Sequence, residues 1–147
     1  MKGQWINIYS GDLPLRSWWV DSGNECEFIS IVLPEVFGIN NWIRSFSEKL
    51  AAQNLPVLAI PLYGRTAPNL DLGYSEEDLK LGRHHKNLTT LKNIIEDVSG
   101  AINWVKDNYP KWIFNQLKAE DDAKNPKNTL PPPSSGTNQP ASRYFPK

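Results

Sequence analysis

One cysteine in 147 residues excludes an internal disulfide, and the two histidines, His84 and His85, are adjacent. On a helix neighbouring side chains point about 100° apart, so this pair cannot readily grip one metal ion, and no metal or other cofactor is expected. Charge of one sign is also missing. Sixteen Lys and Arg balance sixteen Asp and Glu, which leaves no electrostatic footprint for nucleic acid or an anionic membrane. No apolar run approaches the roughly 20 residues that span a bilayer. The start MKGQWINIY lacks a charged segment followed by an apolar one, so a soluble cytoplasmic protein is expected. Against these absences, 39% apolar residues suffice for one globular domain with a core.

The chain is organised around residues 31–74. Phe28 to Leu33 is an apolar, β-branched run ended by Pro34, which predicts a strand covered on both faces. Asn40 or Asn41 can cap the helix that follows, where Ile39, Trp42, Ile43, Phe46 and Leu50 recur at the spacing of one face. Asn54 ends that helix, Pro56 prevents its continuation, and Val57 to Leu62 forms a second apolar run. The unit is βαβ, with parallel strands expected. Ahead of it, Trp5 to Tyr9 and Leu15 to Val20 flank Ser10, Gly11 and Asp12 and predict a hairpin, with Trp5, Trp18 and Trp19 as packing residues. Beyond it, Ser75 to Asp78 reads as the capping box of a short helix. A longer helix is predicted from Asn87, with Leu88, Leu91, Ile95, Val98, Ile102 and Val105 as its core face and Asn108 and Pro110 as its end.

The motifs LPEVFG, LAIPLYGRTAP and DLGY, set around that helix, resemble the dienelactone hydrolase family over roughly residues 1–110. The resemblance implies an α/β-hydrolase fold and a Cys-His-Asp triad that hydrolyses small-molecule lactones or carboxylic esters. It implies that Glu35 is an active-site glutamate that interacts with the nucleophilic cysteine, and that the Val36 amide belongs to the oxyanion hole. Such an N–H stabilises charge developing on a tetrahedral intermediate. A carboxylate near a helix start is welcome for local reasons too. Arg65 would bind a substrate carboxylate through paired hydrogen bonds, the alternative being an ion-paired loop arginine.

The family nucleophile stands on a tight strand-to-helix turn, in G-x-C-x-G. Cys26 does not: it precedes the first buried strand, and Glu25 and Glu27 beside it disfavour a thiolate. None of the nine glycines marks such a turn, and the family's catalytic histidine belongs near the C-terminus, a role that neither His84 nor His85 inherits. Where a third parallel strand is expected, residues 111–117 read KWIFNQL. Half of the twelve prolines then fall within residues 118–147, a segment expected to be disordered. The expectation is an incomplete α/β-hydrolase fold: a hairpin, a βαβ unit, a further helix and a tail, truncated before the triad and inactive alone. Without the strand that would neighbour it, Phe28 to Leu33 becomes an exposed edge, open to self-association or to a complementing chain. Trp112, Ile113 and Phe114 are candidates to cover it. An interaction module and a noncatalytic anion binder using Arg65 are the alternative readings.

Overall fold

The computed structural model describes residues 2–109. The expectations for residues 111–117 and for the 118–147 tail lie outside them. Within them the order is β1 (Gln4–Ser10), β2 (Leu13–Val20), β3 (Ser30–Val32), α1 (Asn41–Ala51), β4 (Val57–Ala59), α2 (Glu76–Leu88) and α3 (Leu91–Asn108). The strands form one mixed sheet in the order β1-β2-β4-β3.

The hairpin forms as expected. Ser10 pairs with Leu13, so the turn has two central residues, and Gly11 takes φ +60° at the first of them, the conformation a type II′ turn requires there. β2 pairs antiparallel with β4, and β3 pairs parallel with β4 through α1, which is the expected βαβ unit. Both parallel strands are shorter than their apolar runs: Phe28 and Ile29 precede β3, and Pro61 and Leu62 follow β4 into a turn.

Alternation sends successive residues to opposite faces. On one face Ile8, Leu15, Trp19 and Leu58 pack with Ala101 and Val105 of α3; on the other Trp18, Val20 and Ala59 pack with Ile43 and Ala51 of α1. The sheet is therefore the middle layer of three. β4 is its keystone, with Val57, Leu58, Ala59 and the following Ile60 wholly buried.

Two apolar stripes need correction. In α1 the buried positions are Ile43, Ser47 and Ala51, four residues apart; Ser47 tolerates burial because its hydroxyl donates to the Ile43 carbonyl at 2.7 Å. Trp42 and Phe46 are exposed and stack on each other with centroids 5.3 Å apart. The long helix does not begin at Asn87. Thr89 and Thr90 are extended and divide α2 from α3, and Thr90 Oγ1 caps α3 by accepting from Asn93 N at 3.2 Å. Leu88 thus belongs to α2, and Leu91, Ile95 and Ile102 are exposed. α3 meets the sheet through Asp97, Gly100, Ala101 and Val105, because Gly100 lets the helix lie on the Tyr9 carbonyl, where any Cβ would collide.

Candidate functional site

β3 and β4 point the same way, and β1, antiparallel to β2, points with them. Their carboxyl ends make one edge of the sheet, where ligands bind in open α/β sheets. Two polar clusters stand on it.

The first leaves β3. Glu35 and Val36 lie in a turn closed by Gly38 N donating to Glu35 O at 3.1 Å. Gly38 has φ +77° and faces the Leu70 carbonyl so closely that a Cβ there would clash, which explains the glycine. A second loop braces this turn. Leu72 N donates to Phe37 O at 2.9 Å, and Phe37 meets Tyr74 edge-on at 4.7 Å. Asn40, buried, caps α1 by accepting from Ile43 N at 3.2 Å while its Nδ2 donates to Leu72 O and Tyr74 Oη, both at 3.1 Å. Arg44 Nη1 adds donations to Ile39 O at 2.7 Å and Asp71 Oδ2 at 2.8 Å. Beneath the turn, α2 approaches the Val36 carbonyl at Gly82, again too closely for a Cβ. The turn is held from three sides, yet among the described residues the Val36 N–H has no acceptor and the exposed Glu35 carboxylate has no partner.

The second cluster is at the far end of the edge. Arg65 Nη2 donates to Asp97 Oδ1 at 3.0 Å, Glu96 Oε2 at 3.1 Å and Ser10 Oγ at 3.3 Å. Ser10 ends β1 and Glu35 follows β3, strands three spacings apart, about 14 Å. The structure therefore gathers Glu35 and Val36 into one turn and sets the Arg65 guanidinium against β1 and α3.

Cys26 is on neither cluster. Its thiol pKa is raised, first by burial and then by the Asp21 charge, and not by the neighbouring Glu25 or Glu27. His85 Nδ1 pairs with Thr66 Oγ1 at 2.8 Å, and among the described residues no three His, Cys, Asp or Glu gather as metal ligands. A cleft of about 470 Å³ opens between Trp42 and Tyr74, beside the first turn of α1. No helix of the described residues is long and apolar enough to cross a membrane. Sequence reasoning missed the double duty of Asn40 and the burial of Asp97. The signal for Asp97 was its phase, four residues before Ala101 and eight before Val105 on the same helical face.

No protein-family model matches the chain. A curated protein of Synechocystis sp., named "Putative carboxymethylenebutenolidase", is 32% identical over 78 residues, which are 53% of this chain and 32% of that one. Carboxymethylenebutenolidase is dienelactone hydrolase. Over that stretch the chain is similar to a protein named as a dienelactone hydrolase. It spans about a third of the curated relative's length. Among solved structures, the Pyrococcus furiosus esterase Pf2001 superposes in two crystal forms with TM-scores of 0.47 and 0.45. Each is 19% identical and covers 76% of this chain, against 38% and 37% of the esterase.

Proposed function

We propose that these residues are the framework part of a dienelactone hydrolase-type site, in an incomplete α/β-hydrolase fold. The observation that carries the reading is the Val36 N–H, held in a braced turn beside Glu35, neither of them partnered among the described residues. In this reading the amide receives the oxyanion that forms when a nucleophile attacks an ester or lactone carbonyl, and Glu35 faces the attacking group. The thiol, its histidine base and the aspartate come from polypeptide outside these 147 residues, so the chain alone hydrolyses nothing. The test grafts residues 31–74 into the Synechocystis protein in place of its matching segment. The graft is expected to hydrolyse aryl esters, and Val36→Pro, which deletes the amide hydrogen, to lower kcat by about 10²–10³. Saturable turnover by the 147-residue chain alone, unaffected by Cys26→Ala, would overturn the reading.

A second reading, an interaction module, is favoured by β3. Its outer edge has no partner strand among the described residues, and Phe28 and Leu33 flank it at 58% and 47% exposure. Unpaired edges template strand addition. Sedimentation of the full chain is expected to show association that Leu33→Lys reduces; a monomer in both cases would remove this reading.

A further inference from the structure

Asp97 is wholly buried, its Oδ1 accepts from Arg65, and its Oδ2 has no partner among the described residues. A buried carboxylate without a counter-ion is heavily penalised, so the fold needs Arg65 at this place whatever else that residue does. Glu96 adds a second negative charge to the same nitrogen at 3.1 Å. One guanidinium and two carboxylates sum to −1, and an approaching anion meets that sum and not a bare cation.

Geometry gives the same result independently of charge. A guanidinium can grip a carboxylate bidentately by two forks, Nε with Nη2 or Nη1 with Nη2, and both include Nη2. Here Nη2 has two hydrogens and three acceptors. Neither fork is available. Nε and Nη1 have no acceptor among the described residues, and each can offer single hydrogen bonds of the kind a neutral carbonyl or ether oxygen accepts.

We propose that the site takes an uncharged ester or lactone, with Arg65 serving as the counter-ion of Asp97 and not as a receptor for a substrate carboxylate. The substrate class rests on the hydrolase reading above; the assignment of Arg65 rests only on the cluster. Asp97 is then a positioning residue that fixes the charge the edge presents.

The test uses the full 147-residue chain, labelled with nitrogen-15, and follows the Arg65 Nε–Hε resonance during titration with benzoate. No saturable shift is expected up to about 20 mM in the wild type, and a gain in affinity of at least about tenfold in Asp97→Asn. Glu96→Gln, at an exposed side chain, is expected to move the same way and carries the test should Asp97→Asn fail to fold. Saturation in the wild type below about 1 mM, or no gain in either variant, overturns the proposal. The hydrolase reading fails separately. A graft without esterase activity, beside the expected titration, removes that reading and leaves Arg65 assigned. An active graft that prefers carboxylate-bearing esters to neutral ones does the reverse.

Discussion

The two ends of the carboxyl edge differ in how their polar groups are used. At the β1 end Asp97 Oδ1, Glu96 Oε2 and Ser10 Oγ all engage Arg65 Nη2, so the fold itself uses this charge, and α3 lies flat on Tyr9 through Gly100. At the β3 end the backbone is braced as firmly, but the Val36 N–H and the Glu35 carboxylate are left over, and all three residues of β3 are only half-buried. The difference teaches where to look for chemistry. Polar groups that the fold itself consumes are structural, and groups held rigid yet unsatisfied are free to meet a ligand.

Breaking the β1 end should cost most. Arg65→Ala leaves Asp97 buried without its counter-ion, and urea unfolding should register a loss of about 3–5 kcal/mol. Adding Asp97→Leu should recover much of it, because the uncompensated charge and not the missing arginine causes the loss. A single-variant loss below about 1 kcal/mol would mean that the two ends do not differ in this way.

A smaller effect is expected where the β3 end is braced. Gly82→Ala places a methyl against the Val36 carbonyl and should cost about 1–3 kcal/mol by overpacking, while shifting the Val36 and Gly38 amide resonances. Amides that do not move would show that α2 does not support the turn.

Smaller still is Glu35→Ala, within about 0.5 kcal/mol of wild type in the same unfolding assay, since the carboxylate has no partner to lose among the described residues. A larger loss would reveal a structural role for this carboxylate at the β3 end.

The last contrast is between the two edges of the sheet. At the amino edge Tyr109 packs on Trp19, and its hydroxyl donates to Asp21 Oδ2 at 3.5 Å. Burial first, then the Asp21 charge, pushes the phenol up to about 12. A folded pKa above the unfolded value of about 10 means that the folded state holds the proton longer. Stability from this group is therefore complete below pH 10 and is lost as pH rises from about 10 to 12. Tyr109→Phe should flatten the fall across that window in denaturation curves; an unchanged slope would assign the fall to other groups.

What the sequence by itself determined is what a few consecutive residues decide. The hairpin turn at Gly11, a cap at Asn40 or Asn41 of which the structure uses Asn40, the cap at Ser75, the stop at Asn54 with φ 65° and the parallel βαβ unit were all legible. The turn, the caps and the stop follow from local sterics or a hydrogen bond spanning three or four residues, and the βαβ unit from two apolar runs set on either side of a helix. The place of Glu35 and Val36 after the first buried strand was legible too, because Pro34 ends that run.

Tertiary structure decided the rest. Leu91, Ile95 and Ile102 have a core spacing, yet α3 turns Asp97, Gly100 and Ala101 to the sheet. Periodicity ranks faces by apolarity, whereas the contact is chosen by where a helix can approach backbone and where a charge can find its partner. Arg65 and Asp97 are 32 residues apart, and only the packing of α3 over β1 makes them one ion pair.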